Sequence, residues 1–196
     1  MSNEDLDRAL YKYPGSQVLR NKLDVRDAAT LDKAERRLVA IRIREGAPRR
    51  DLDLAHLRAI HRHLFQDIYE WAGELRRVDI SKGGHWFMPK DRLEVGMADI
   101  HRRVTAQKLL RGLSIEVFAA QAGVIIGDVN YLHPFREGNG RTQTQYLKQL
   151  AAQAGHKMDL RRMRRDAWMD ASRQANDGKY EPMSACIREM LVDPRS

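Results

Sequence analysis

Apolar side chains recur at helical spacing through nearly the whole 196-residue chain, and the rhythm breaks at one place. Leu31, Ala34, Leu38 and Ile41 mark an amphipathic helix over Asp27 to Glu45, ended by Gly46 to Arg50 with Pro48. Leu54, Leu57, Ile60, Leu64 and Ile68 share one face of a second helix, Leu54 to Trp71. The period then changes to two. Arg76 to Ser81 alternates as a short strand, Gly83-Gly84 supplies a turn that tolerates positive φ, and His85 to Met88 returns before Pro89. Helical spacing resumes in a long polar helix, Lys90 to Arg111, and an apolar one from Ser114 to about Leu132 with Glu116 in its first turn. A compact loop leads into a helix over Arg141 to Ala154, closed by Gly155, and helices over Arg161 to Asn176 and Pro182 to Leu191 follow. Ahead of all these, Tyr11 to Leu23 reads as an ordered loop broken at Pro14-Gly15. The fold class is therefore all-α, a helical bundle with one short β-hairpin.

Length allows a single domain, 1–196, with its core over about 54–176. A chain of this size buries enough apolar surface to need neither disulfide nor structural metal. Its one cysteine, Cys186, excludes an internal disulfide and suits a reducing compartment. The formal charge of +8 favours acidic partners without choosing among nucleotides, nucleic acid and acidic proteins. The N-terminus, MSNEDLDRAL, does not read as a secretory signal. Val117 to Val129 is interrupted by Gln121, Asp128 and two glycines, so it reads as a buried core helix rather than a membrane span, which needs about 20 apolar residues.

The chemistry is concentrated in His133-Pro134-Phe135-Arg136-Glu137-Gly138-Asn139-Gly140-Arg141. Two glycines around an asparagine just before a helix offer free backbone N–H groups and the positive end of a helix dipole, an anion site suited to phosphate. Arg141 adds a planar cation that grips phosphate oxygens in pairs. Glu137 is a hard oxygen ligand for Mg²⁺, which is commonly held by one or two carboxylates plus substrate phosphates. His133 is the natural general base for a hydroxyl nucleophile, and Phe135 anchors the loop. Base, metal ligand, anion hole and phosphate clamp within nine residues point to phosphoryl or nucleotidyl transfer. The segment is no P-loop, because GxxxxGK[ST] is absent.

The segment HPFREGNGR resembles the Fic motif, His-x-Phe-x-Asp/Glu-Gly-Asn-Gly-Arg-x-x-Arg, at every position through Arg141. LRAIHRHLFQDIYEWAGELRRVDISKG (Leu57 to Gly83) resembles the Fic segment leading into the flap hairpin, and YPGSQVLRNKL the N-terminal segment of small bacterial Fic toxins. The resemblance implies a Fic-fold bundle with a flap over about 76–88 and AMP transfer from ATP to a Ser, Thr or Tyr hydroxyl of a target protein. His133 would take the hydroxyl proton and Glu137 would hold Mg²⁺. Gly138, Asn139 and Gly140 would form the anion hole, and Arg141 would neutralise the β-phosphate side. Lys82, Gly83, Gly84, His85, Trp86 and Phe87 would register the target by strand addition. Phe135 would be structural and Arg136 simply exposed. Relatives in the family transfer UMP, phosphate or phosphocholine, and Gly-Asn-Gly favours AMP over the phosphate-transferring branch.

The sequence departs from the motif at Thr144, where the family's second arginine would grip the γ-phosphate; Gln143, Lys148 and the basic run Arg161 to Arg165 are candidate replacements. A catalytically weakened nucleotide- or protein-binding module is the alternative this raises. The family's inhibitory motif, Ser/Thr-x-x-x-Glu-Gly/Asn, finds no match, since Arg44-Glu45-Gly46 has Ile41 where Ser or Thr belongs. The resemblance thus implies a bacterial cytoplasmic toxin restrained in trans by a small antitoxin, with type II topoisomerase subunits as plausible targets.

Other features are expected to be structural. His56, His61 and His63 lack metal-ligand spacing and read as solvated or core-edge. Arg161, Arg162, Arg164 and Arg165 read as a solvated helix face rather than a nucleic-acid contact. Trp71, Trp168 and Tyr146 read as core, whereas Trp86 and Phe87 on the flap read as exposed.

Overall fold

The computed structural model describes residues 2–192. Its elements are α1 (Asn3–Tyr11), α2 (Ala28–Glu45), α3 (Leu54–Phe65), β1 (Ser81–Lys82), β2 (His85–Trp86), α4 (Leu93–Ala106), α5 (Ile115–Leu132), α6 (Asn139–Ala154), α7 (Arg165–Asn176) and α8 (Glu181–Met190). This is the all-α bundle with a hairpin that the spacing predicts. α5 is the central helix: it packs against α4, α6, α7 and α8, and ten of its residues are buried. It is long and apolar enough to cross a membrane, yet the bundle covers most of its apolar surface. Its polar Asn130 is satisfied inside, donating to the Ser172 carbonyl and the Asn176 side chain, both at 2.9 Å.

The helices begin where side chains can accept from open amides. Asp27, Asp53 and Ser114 cap α2, α3 and α5. α1 was not expected. Its signal is a capping box, in which Ser2 Oγ accepts from the Asp5 N–H and the Asp5 carboxylate accepts from the Ser2 N–H.

Four boundaries differ from the sequence reading. α7 starts at Arg165 rather than Arg161, because the chain makes a single 3-10 turn over Leu160–Arg162 and is extended at Met163 and Arg164. α3 stops at Phe65 instead of continuing to Trp71. Turns follow, with Ile68 N–H donating to Phe65 O and Ala72 N–H to Tyr69 O, and they bury Ile68, Tyr69 and Ala72 as a helix would. The span Lys90–Arg111 is not one polar helix. Leu93, Met97, Ile100 and Val104 form a buried stripe on α4, and the helix breaks at Lys108, Leu109 and Leu110, all with positive φ. The hairpin is shorter than expected, pairing only Ser81 with Trp86 and Lys82 with His85. Gly83 and Gly84 both have positive φ, as a two-residue turn of this hand requires. Arg76 is drawn out of any strand, its N–H donating to Pro134 O in the loop before α6, while Ile80 still accepts from the Phe87 N–H across the hairpin.

Candidate active site

His133 caps the C-terminus of α5 in a left-handed conformation, φ 44° and ψ 59°. This turns its ring back over the helix end, where Nδ1 lies 3.0 Å from the Asn130 carbonyl. A carbonyl can only accept, so Nδ1 carries the proton and Nε2 is left as an acceptor. Phe87 stacks on the ring, centroids 3.7 Å apart and planes 14° apart. Burial pushes the imidazole pKa down to about 4, against the Asn130 hydrogen bond and with help from the Lys82 and Arg76 charges. His133 is therefore a neutral imidazole at neutral pH, with one nitrogen fixed and the other ready to take a proton.

The loop after it is held from beneath. Phe135 is fully buried, and Asn139 clamps its backbone from both sides: Oδ1 accepts from Phe135 N–H at 2.9 Å while Nδ2 donates to Phe135 O at 2.7 Å. The Asn139 side chain is thus spent on the loop, leaving its backbone N–H for any anion. His61 lies under the same turn, stacked on Phe135 with centroids 3.9 Å apart. Gly73 N–H donates to its Nδ1 at 2.8 Å, so Nε2–H donates to the Glu137 carbonyl at 3.0 Å. His61 is fully buried, correcting the solvated or core-edge expectation, and burial drives its pKa down to about 3. His56 is likewise buried, with Nδ1 accepting from Leu52 N–H, while His63 bonds the Arg42 carbonyl at 2.7 Å.

Gly138 is the N-cap of α6, with φ 81°. No side chain caps this terminus, so the first-turn amides of Asn139, Gly140 and Arg141 stay open. A Cβ on Gly138 would sit 2.3 Å from the Phe65 ring. Gly140 is helical, exposed, and a Cβ there would meet nothing within 4 Å, so nothing in the protein itself requires glycine at that position. The Glu137 carboxylate is half exposed beside this terminus, with Oε1 accepting from Gly138 N–H at 3.0 Å. Among the described residues no three acidic, His or Cys side chains gather as a metal cage. A lone carboxylate next to open amides still fits Mg²⁺, which relies on substrate phosphates and water for its other ligands.

Arg141 lies over the Phe65 ring, its Cζ 4.8 Å from the centroid, and its Nη2 donates to Glu35 Oε1 at 2.6 Å. The Glu137 carboxylate is 3.6 Å from the same nitrogen. Thr144 is partly buried and its hydroxyl donates to the Arg141 carbonyl at 2.9 Å, a bond within its own helix. Gln143 is buried and donates to Ile126 O, which removes it as a replacement for the missing arginine, while Lys148 is exposed. Arg161, Arg162, Arg164 and Arg165 are all exposed.

On the flap, Lys82 to Trp86 are exposed, Trp86 at 63%. Phe87 is buried against His133, correcting the expectation that both aromatics are exposed. Trp168 and Tyr146 are core, whereas Trp71 is only partly buried at its edge.

Sequence reasoning missed four residues that build the site. Arg76 is buried and donates to the carbonyls of His133 and Val78, both at 2.8 Å, and to Met88, so one guanidinium ties the His133 loop to both legs of the flap. Asp7 on α1 pairs with Lys12 and with Arg136, which is part-buried rather than simply exposed. Burial alone would raise the Asp7 pKa, but those cations outweigh it and hold the carboxyl below its usual value. His61 and Glu35 are the other two. His61 gave a faint signal, a histidine on the apolar face between Leu57 and Leu64.

The sequence model of the Fic/DOC family matches residues 51–151. The chain is 40% identical over 180 residues to a probable protein adenylyltransferase, y4lH, of Sinorhizobium fredii, covering 91% of this chain and 94% of that protein. It is 38% identical to the protein adenylyltransferase VbhT of Bartonella schoenbuchensis, spanning 93% of this chain but 39% of VbhT. The solved structure of BepC, a VirB-translocated effector of Bartonella tribocorum with bound AMPPNP, superposes with a TM-score of 0.87 at 25% identity, covering 93% of this chain and 96% of that one.

Proposed function

This chain belongs to the Fic/DOC family, and we infer that it is a protein adenylyltransferase, moving AMP from ATP to a hydroxyl of a target protein. One observation carries the reading. A neutral imidazole with its proton fixed on Nδ1 opens a loop that ends, six residues later, at the uncapped helix terminus Asn139, backed by a guanidinium. His133 Nε2 takes the proton of the target hydroxyl as that oxygen attacks the α-phosphorus, and pyrophosphate leaves on the opposite side. General base action of this kind contributes roughly 10²–10⁴-fold. The amides of Asn139, Gly140 and Arg141 and the Arg141 guanidinium hold the phosphates where charge develops. Glycine at 140 lets a phosphate oxygen approach the helix backbone closely. Glu137 would hold Mg²⁺, which supplies charge neutralisation across the phosphates. The exposed hairpin edge presents backbone groups for strand addition by the target, and Phe87 beneath it keeps the His133 ring in place.

The test uses ATP labelled at either the α- or the γ-phosphate, with bacterial lysate and Mg²⁺. Protein-bound label from the α position alone supports nucleotidyl transfer; label from the γ position alone defeats it. Type II topoisomerase subunits are the first targets to try, in a bacterial cytoplasm. A small helical protein acting in trans is the proposed restraint, because Glu45, the nearest approach to an inhibitory glutamate, is engaged by Arg42. Failure of the chain to form a complex with the product of its neighbouring reading frame would count against that partner.

Thr144 favours a second reading, a module that binds nucleotide but turns it over weakly, since its hydroxyl is committed to the Arg141 carbonyl. Calorimetry with ATP and Mg²⁺ beside a turnover assay separates the two.

A further inference from the structure

Glu35 sits on α2, outside the segment that carries the motif and 106 residues before Arg141, yet it makes the shortest charged contact to the loop's guanidinium. Its side chain is buried, 8% exposed, in a molecule whose other carboxylates lie mostly at the surface. A buried carboxylate is retained only when its oxygens are satisfied. Both are. Oε1 accepts from Arg141 Nη2 at 2.6 Å, and Oε2 accepts from the Tyr69 hydroxyl. Tyr69 is itself fixed, buried and stacked on Trp71 with centroids 4.3 Å apart. Burial and the Glu35 charge raise its pKa, so the hydroxyl remains a donor throughout the physiological range.

The geometry assigns what this arrangement does. Both carboxylates near Arg141, Glu35 and Glu137, lie against the same nitrogen, Nη2. Phe65 supports the guanidinium plane from one face. Guanidinium has five N–H donors in a rigid fork, so fixing one corner and one face aims the remaining Nε and Nη1 edge. We propose that Glu35 is a positioning residue for the nucleotide, with Tyr69 as its anchor: the pair holds Arg141 by Nη2 so that its free edge meets the leaving phosphates in a preset orientation. The assignment rests on the nucleotide-transfer reading. It also gives α2 a part in a site whose motif runs from the end of α5 into the first turns of α6. Preset orientation matters here because the second motif arginine is absent at Thr144, leaving Arg141 as the motif's one phosphate-gripping cation.

The experiment is a cycle of ATP·Mg²⁺ dissociation constants on the full chain by calorimetry, with wild type, Glu35→Gln, Arg141→Ala and the double variant. Glu35→Gln is expected to weaken ATP about 5- to 20-fold. In the Arg141→Ala background the same change is expected to have no further effect, because Glu35 acts only through Arg141. A residue that merely stabilises the fold would add its loss on top, and equal losses in both backgrounds overturn the assignment. Should Arg141→Ala fail to fold, Tyr69→Phe and Glu35→Asp carry the test. The first removes the anchor and the second keeps the charge but draws it back by one methylene. Each is expected to weaken ATP at least threefold while the chain remains folded at the assay temperature, and unchanged affinity in both overturns the assignment. A wild type that binds no ATP would instead sink the nucleotide reading, and this assignment with it.

Discussion

Replacing Gly138 and Gly140 with alanine, one at a time, separates the glycine the fold needs from the glycine the chemistry needs. At 138 the backbone has φ 81°, a left-handed conformation that costs an alanine roughly 1–2 kcal/mol. The new Cβ would also lie 2.3 Å and 2.4 Å from two Phe65 ring atoms. Phe65 is fully buried and stacked on His61 and Tyr69, so it cannot swing away, and such overpacking costs about 1–3 kcal/mol more. Gly138→Ala should therefore destabilise the protein by about 2–5 kcal/mol. At roughly 2–4 °C per kcal/mol for a chain of this size, that lowers Tm by about 4–20 °C. At 140 the backbone is helical and the Cβ meets open space. Alanine there should leave Tm unchanged or slightly raised, since it is the better helix former by up to about 1 kcal/mol. Yet that methyl group would stand over the open amides, where displacing a substrate by about 1 Å costs roughly 10²-fold in rate. Thermal unfolding and AMP transfer, measured on both variants, decide the matter. Equal Tm losses at the two positions, or full activity in Gly140→Ala, would refute the reasoning.

Four further outcomes are expected. Because His133 is held near pKa 4, its general-base contribution should be flat from about pH 6 to 8; a kcat/KM profile with a midpoint near 6.5 would show the ring is not so depressed. The same depression, shared by His61 at about 3, means the unfolded chain takes up protons first, so stability is fully present above about pH 6.5 and is lost as pH falls towards 4, checked by denaturant titration across that window. Arg76→Ala leaves several buried carbonyls without a donor, each costing about 1–3 kcal/mol, and should lower unfolding free energy by about 3 kcal/mol or more while AMP transfer collapses. Thr144→Arg should tighten ATP about tenfold by calorimetry, the yield of one added charge-assisted contact.

The helices of the bundle were legible because each buries one face, and that face is written in local spacing. The loop proposed to carry the chemistry stood out because its residues are contiguous. What escaped was long-range. His61 reaches Glu137 across 76 residues, Arg76 reaches His133 across 57, and Arg136 reaches Asp7 across 129. Nothing local distinguishes these side chains from ordinary helix and turn residues, because their role exists only once the chain has folded. The shortened hairpin has the same origin: Arg76 alternates correctly for a strand, but its N–H and side chain are taken by the loop before α6. The inward turn of Phe87 follows from packing on His133, which strand alternation does not reveal.

The most direct test of the central claim is transfer of label from α-phosphate-labelled ATP to protein, comparing wild type with His133→Ala at matched folding. Wild type should give a labelled target band and the variant none, with the variant's unfolding temperature close to that of wild type. A variant that labels as fast as wild type would contradict that claim, by removing His133 from the proton transfer on which the mechanism depends.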